Sequence, residues 1–176
     1  MRIIGGNFKG RLLHPPKGLP VRPTTDFAKT ALFNILNNRI DFEETRVLDL
    51  FAGTGSISLE FMSRGCPKIV AVDKDFGCIR FIKDTIEKLN IAGMHAIKSD
   101  VFGFIKTSNG GFNLIFCDPP YDLDKLPSIP DAIFSSHLLE KEGLLIVEHS
   151  ARVDFSQHPH FKECRNYGKV NFSFFS

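Results

Sequence analysis

The stretch that decides the fold is Val47-Leu48-Asp49-Leu50-Phe51-Ala52-Gly53-Thr54-Gly55-Ser56. A short apolar run, a tight glycine turn and a polar residue able to start a helix read as strand, loop and helix. Glycines let a ligand approach the backbone closely at the carboxyl end of such a strand. A dinucleotide fingerprint would run G-x-G-x-x-G, but Gly53-Thr54-Gly55-Ser56-Ile57-Ser58 ends in Ser58. Asp49 stands just before the turn, where a carboxylate repels a pyrophosphate but can face an ammonium group.

Outward from this stretch the chain alternates strands and helices. Apolar runs fall at Val47–Phe51, Ile69–Val72, His95–Lys98, Asn113–Cys117 and Leu144–Val147, and Ile79, Ile82, Ile86 and Leu89 mark an amphipathic helix. Short apolar strands separated by helical stretches predict an α/β fold whose parallel sheet is covered on both faces. The runs Phe161–Tyr167 and Val170–Phe175 lie too close together for a crossover helix and predict an antiparallel hairpin at the C-terminal edge. Upstream, Gly5-Gly6 and Gly10 punctuate a small β-ribbon, a Pro/Gly-rich loop follows, and Thr25 is placed to cap a helix that runs to about Asn38. The organisation expected is a basic extension over residues 1–24 and a main domain over 25–176. The ribbon, with few apolar residues, is expected to be mobile until a partner orders it.

Acids recur where strands end. Asp73 closes the second strand, with Lys74 beside it, and can accept hydrogen bonds from two ribose hydroxyls. Asp100 follows the third strand and can accept from an adenine amine, with Val101 or Phe102 as an apolar edge. Together with Phe51, Ala52, Gly53, Thr54 and Gly55 these residues suit a ligand that carries an ammonium, a ribose and an adenine but no phosphate. That ligand is S-adenosylmethionine, with S-adenosylhomocysteine as product. As isolated residues, the three acids also suit ordinary helix caps; their repetition beside a glycine loop favours the ligand.

Asp118-Pro119-Pro120-Tyr121 follows the fourth strand. An exocyclic base amine is a poor nucleophile because its lone pair is delocalised into the ring. Acceptors at the Asp118 carboxylate and the Pro119 carbonyl can hold its two hydrogens, aim the lone pair and stabilise the positive charge that develops on nitrogen. The prolines, Pro120 included, fix the turn, and Tyr121 can stack on an extruded base.

Charge is uneven. Residues 1–25 carry Arg2, Lys9, Arg11, Lys17 and Arg22 and no acid, whereas the other 151 hold 17 basic and 20 acidic side chains, for a net +2 overall. A basic arm on a mildly acidic body is the footprint of a nucleic-acid contact. Hydrophobic residues at 43% and charged residues at 24% exclude a disordered chain. No run is long enough for a membrane span or a signal peptide, so a cytoplasmic protein without a membrane partner is expected. Cys66, Cys78, Cys117 and Cys164 show no metal spacing and read as buried free thiols in a reducing compartment. His158-Pro159-His160 lacks a second ligand cluster, so no metal is expected.

With these residues in view, the chain resembles the RsmD-like family of bacterial 16S rRNA guanine-N2 methyltransferases. The resemblance is carried by Met1-Arg2-Ile3-Ile4-Gly5-Gly6, Arg11, Arg22-Pro23-Thr24 with Asp26, Leu32-Phe33-Asn34, the stretch from Asp49 to Gly55, and Asp118 to Tyr121. It implies a Rossmann-like class I S-adenosylmethionine-dependent methyltransferase with a seven-stranded, mostly parallel sheet. It also implies that 16S rRNA, naked or within the small subunit, is the partner and that the N2 amine of a guanine is methylated. Arg2, Lys9, Arg11, Arg22, Thr24 and Lys29 are the expected RNA contacts, and a monomer is favoured. Two positions depart from the family pattern. Phe27-Ala28-Lys29-Thr30 stands where Arg-Val-Arg-Glu is usual, and Ser58 stands where glycine is common. The rival readings are an amino-methyltransferase acting on adenine or on DNA, and a non-catalytic RNA-binding assembly factor, which would have little use for Asp118 to Tyr121.

Overall fold

The computed structural model describes residues 1–21 and 25–176. Its seven-stranded sheet contains β1 (Arg46–Leu50), β2 (Lys68–Asp73), β3 (Met94–Lys98), β4 (Phe112–Cys117), β5 (Leu139–His149), β6 (Phe161–Tyr167) and β7 (Val170–Phe175), in the order β3-β2-β1-β4-β5-β7-β6. The first five run parallel, β7 is antiparallel to β5, and β6 closes the hairpin against β7. Strand order reverses between β1 and β4, which pair from Val47↔Leu114 to Leu50↔Cys117. Loops leaving adjacent strands at such a switch diverge and open a crevice at their carboxyl ends.

Helices α1 (Asp26–Leu36), α2 (Ser56–Ser63) and α3 (Phe76–Lys88) supply one hydrophobic layer, with Leu32, Phe33, Ile57, Phe61, Ile79 and Ile82 buried together. Helices α4 (Val101–Thr107) and α5 (Ile129–Phe134) supply the other, through Val101, Phe104, Ile129 and Ile133. Alternation along β1 divides its side chains accordingly: Val47 belongs to the first layer, Leu48 and Leu50 to the second. Asp49 shares the face of Val47, under α2. Phe172, Phe174 and Phe175 in β7 are fully buried, each contributing on the order of 1.5–3 kcal/mol by leaving water. Most of the phenylalanine excess is thus core. Capping follows the sequence, with the Thr25 hydroxyl accepting from Ala28 N and the Asp75 carboxylate from Cys78 N.

The amino-terminal segment departs from expectation in two ways. It is a loop closed by one antiparallel bridge, Arg2↔Leu12, around a 3-10 turn at Gly6–Phe8, rather than a regular ribbon. It is also docked, not loose. Ile3 and Leu13 are buried in the α1–α2–α3 layer, Ile4 N donates to Glu60 Oε2 at 2.9 Å, and Phe8 N donates to Ser63 Oγ at 2.9 Å. Gly6 sits at φ +70, and a Cβ on it would lie 1.8 Å from the Ser63 carbonyl oxygen. Contacts made by backbone atoms leave no hydrophobic pattern in the sequence, which is why the docking is invisible there. Of the cysteines, Cys66, Cys78 and Cys117 are buried as expected, but Cys164 is exposed on β6. Among the described residues no helix is long and apolar enough to cross a membrane, and no group of His, Cys, Asp or Glu could hold a metal ion.

Candidate active site

A cavity of about 760 Å³ opens at the carboxyl ends of β1, β2, β3 and β4. All ten residues singled out for a donor, except Gly55, line it: Phe51, Ala52, Gly53 and Thr54 from the β1–α2 loop, and Asp49, Asp73, Lys74, Asp100 and Val101 from strand ends and helix starts. Gly55 lies just behind, at φ +73 as the N-cap of α2, with no room for a Cβ beside Ile82. Phe51 itself adopts φ +63, a conformation costly for a bulky residue and found where surrounding structure imposes it. Asp118, Pro119, Pro120 and Tyr121 line the same cavity.

Asp49 is 1% exposed, and its Oδ2 accepts from Ser58 N at 3.1 Å and Ser58 Oγ at 2.5 Å. Burial pushes its carboxyl up to about 7; the two Ser58 hydrogen bonds pull it down, and the nearby Asp73 charge adds to the rise. A cation arriving in the cavity would relieve this penalty by stabilising the ionised form. Asp73 braces the glycine loop, since its Oδ2 accepts from Gly53 N and its Oδ1 from Asp75 N, both at 2.8 Å. Asp100 caps α4 through Gly103 N at 2.8 Å while lining the cavity. The cap reading and the ligand reading therefore coexist at Asp100. At the end of β4, Asp118 N donates to Leu50 O at 3.3 Å, tying the tetrapeptide to the end of β1. Tyr121 Oη donates to Glu148 Oε1 at 3.1 Å.

The arm residues are placed less uniformly. Arg2, Lys9 and Arg11 are exposed, with Arg2 paired to Asp26 at 3.0 Å and the Arg11 guanidinium 5.7 Å from the centre of the Phe8 ring. Arg22 and Thr24 lie outside the described residues. Lys29 contradicts its expected role as a surface contact, being 1% exposed. Its Nζ donates to Arg2 O at 2.6 Å and Ser56 Oγ at 3.1 Å and lies 3.9 Å from Glu60 Oε2. Burial lowers its pKa, opposed by the Glu60 and Asp26 charges. Lys29 fastens the amino-terminal loop to the start of α2; a lone cation in a polar stretch gave no sign of this.

Residues that support the cavity lining from behind, and others that border it, were not singled out in the sequence. Glu148, buried at the end of β5, is one more acid at a strand end and was open to the same logic. Ser58, noted only as a departure from glycine, turns out to hold Asp49. The segment Pro15–Val21 borders the cavity. A turn closed by Val21 N donating to Leu19 O at 2.8 Å sets Leu19 over Gly77 and Val21 over Gly53. Cβ atoms on those glycines would lie 2.8 Å from Leu19 Cδ2 and 3.2 Å from Val21 Cγ1. A Pro/Gly-rich composition signals a loop but not what it covers.

A doubly covered parallel sheet ending in an antiparallel hairpin, with a glycine-turned cavity at its switch point, is the class I methyltransferase fold, which solved chains share with this one. The match is more specific than the class. The chain belongs to the family described as Conserved hypothetical protein 95, whose model matches residues 1–176, and this is the RsmD-like family. It is 35% identical over 162 residues to the Bacillus subtilis (strain 168) protein named "Putative rRNA methyltransferase YlbH", covering 89% of this chain and 86% of that protein. It is 30% identical over 148 residues to Ribosomal RNA small subunit methyltransferase D of Escherichia coli (strain K12), covering 84% and 74%. Among solved structures, the Thermus thermophilus hypothetical protein TTHA0928 superposes with a TM-score of 0.87 at 28% identity, over 100% of this chain and 99% of that one.

Proposed function

We propose that this protein transfers a methyl group from S-adenosylmethionine to the N2 amine of a guanine in 16S rRNA. The observation that carries the reading is a single cavity bordered both by Asp49, Asp73 and Asp100 and by Asp118-Pro119-Pro120-Tyr121. The names of the relatives support small-subunit rRNA as substrate.

The bound donor supplies an electrophilic methyl on a sulfonium. Asp49, kept dry and oriented by Ser58, accepts from the donor ammonium, and Asp73 accepts from the ribose hydroxyls while bracing Gly53. Asp100 and Val101 border the adenine; Phe51, Ala52, Gly53, Thr54 and Gly55 let it lie close to the backbone, with Lys74 at the rim. The Asp118 carboxylate and the Pro119 carbonyl hold the amine hydrogens, so that nitrogen presents its lone pair as the ring conjugation is lost. These acceptors face the charge that develops on nitrogen as the N–C bond forms and the S–C bond to the donor breaks, leaving S-adenosylhomocysteine, and the Asp118 carboxylate can take the proton that nitrogen then sheds. Tyr121 stacks on the extruded guanine, held by Glu148, and Pro120 keeps the turn rigid. Arg2, Lys9 and Arg11 meet phosphates outside the cavity, with Arg22 and Thr24 between them and α1 in sequence.

The test is to incubate the full chain with labelled donor and total RNA from a strain lacking the gene, then identify the methylated nucleoside by mass. N2-methylguanosine in 16S rRNA is expected. The Asp118→Ala protein should keep donor affinity and lose about 100-fold in single-turnover rate. Methylation of adenosine or DNA would overturn the choice of substrate. Near-normal rates in Asp118→Ala, or no methylation at all, would favour the assembly-factor reading.

A further inference from the structure

The segment Pro15–Val21 follows directly on the docked amino-terminal loop, whose ends are tied by Leu13 N donating to Met1 O at 2.8 Å and Met1 N to Leu13 O at 3.0 Å. Among the described residues no hydrogen bond joins this segment to the rest of the chain; its own bond runs from Val21 N to Leu19 O. What seats it is apolar contact on two glycines, Leu19 on Gly77 in the first turn of α3 and Val21 on Gly53 in the β1–α2 loop. These are the two loops that the Asp73 carboxylate joins, Oδ2 accepting from Gly53 N and Oδ1 from Asp75 N, two residues before Gly77. Leu19, Val21 and Asp73 all line the cavity. Met1 lines it too, its sulfur accepting from the Thr54 hydroxyl at 3.6 Å. The amino-terminal extension thus meets the glycine loop at two successive residues, Gly53 and Thr54.

We infer that Leu19 and Val21 are donor-binding residues, forming an apolar strap across the end of the site where Asp73 meets the donor ribose. The inference rests on the proposed placement of the ribose at Asp73 and adds a wall that the acids and the glycine loop do not supply. A hydrogen bond between a carboxylate and a hydroxyl strengthens where water is kept away. Leucine and valine side chains exclude water and bring no polar atom that would compete for the carboxylate. Pro15, Pro16 and Pro20 fix φ and remove three N–H groups. The strap therefore carries few donors that would need partners above an apolar ligand face. Because only van der Waals contact seats it, lifting it for entry of the donor or exit of the product breaks no hydrogen bond to the body. Residues 1–24, whose charge marks them as an RNA arm, serve the donor as well.

The experiment measures release of S-adenosylmethionine and S-adenosylhomocysteine by stopped flow from the full chain, as wild type, Leu19→Ala, Leu19→Met, Gly77→Ala, the Leu19→Ala/Gly77→Ala double variant and Asp73→Ala. Donor-free melting temperature and KM for RNA are recorded for each. Leu19→Ala should speed release of both ligands between about 4- and 15-fold, the worth of one to two buried methylene groups. Its melting temperature should stay within about 2 °C of wild type. Leu19→Met should restore slow release, because it conserves apolar volume. Gly77→Ala should speed release as Leu19→Ala does, since its Cβ takes the seat of Leu19, and the double variant should be no faster than Leu19→Ala alone. Unchanged release in Leu19→Ala, or release from Leu19→Met as fast as from Leu19→Ala, would overturn the inference. Additive effects in the double variant would overturn it too. A raised KM for RNA at unchanged donor release would overturn it in favour of an RNA contact. Asp73→Ala tests the underlying placement and should weaken donor affinity by about 10- to 150-fold; if affinity is unchanged, the ribose does not lie at Asp73 and the strap reading falls with that placement.

Discussion

Replacing Asp49 by asparagine should stabilise the donor-free protein while weakening its grip on the donor, and the gain should depend on pH in a calculable way. The carboxyl ionises near 3.8 in an unfolded chain and at about 7 in the fold, where burial penalises its charge. The folded state therefore holds the proton more tightly. The penalty is absent below pH 3.8, grows as pH rises through the window, and is complete above about 7. At 1.36 kcal/mol for each pKa unit it reaches roughly 2 kcal/mol at pH 5 and roughly 4 kcal/mol at pH 8. Asparagine keeps the shape and can still accept from Ser58 N and Oγ through its amide oxygen, so it removes the charge alone. Fixed packing differences between the two side chains cancel when one pH is compared with another. The melting-temperature advantage of Asp49→Asn should thus widen from pH 5 to pH 8 by roughly 5–10 °C, at about 2–4 °C per kcal/mol for a chain of this size. Scanning calorimetry at four pH values, with and without donor, measures it directly. Saturating donor should reverse the order at pH 8, because its ammonium offsets the charge in wild type only. Parallel melting curves across the pH range would refute the reasoning.

Two further perturbations probe the amino-terminal loop. Gly6→Ala puts a side chain at φ +70 against the Ser63 carbonyl; it should cost at least about 1–3 kcal/mol, read by urea unfolding, and a neutral result would mean the loop is not docked there. Because that docking buries Ile3 and Leu13, removing residues 1–13 would damage the core and could not isolate an RNA contact. The double change Lys9→Ala and Arg11→Ala should instead spare stability and lower the log–log salt slope of RNA binding by about 1.4–1.8 units; an unchanged slope would make both cations bystanders.

Much of the fold was legible because the central parallel strands, buried on both faces, leave apolar runs; all seven runs became strands, the last two, too close together for a crossover helix, as the antiparallel hairpin. The Asp49–Gly55 loop and the Asp118–Tyr121 turn were legible for a different reason: an acid, a glycine or a double proline is conspicuous where a strand stops. What escaped depends on partners distant in sequence. Lys29 reads as a surface cation until Glu60, Ser56 and the carbonyl of Arg2 surround it. Docking of the amino-terminal loop rests on Ile4 N and Phe8 N, backbone donors that any residue type except proline provides. Ser58 differed from the expected glycine, but only its place in the first turn of α2, above Asp49, gives the difference meaning.

The seat of Leu19 on Gly77 and of Val21 on Gly53 also bears on how this sequence can drift over evolutionary time. With 2.8 Å between Leu19 Cδ2 and any Cβ at position 77, the two positions share one fixed volume, although they stand far apart in sequence. A lineage that acquires alanine at 77 must turn the Leu19 side chain aside, shorten it or lift the segment away from the cavity. Position 53 is outside this trade, because its φ of +52 holds it to glycine whatever stands at 21. In a set of relatives, side-chain size at 19 should fall as size at 77 rises, so that the roof of the cavity and its rim are inherited as a pair.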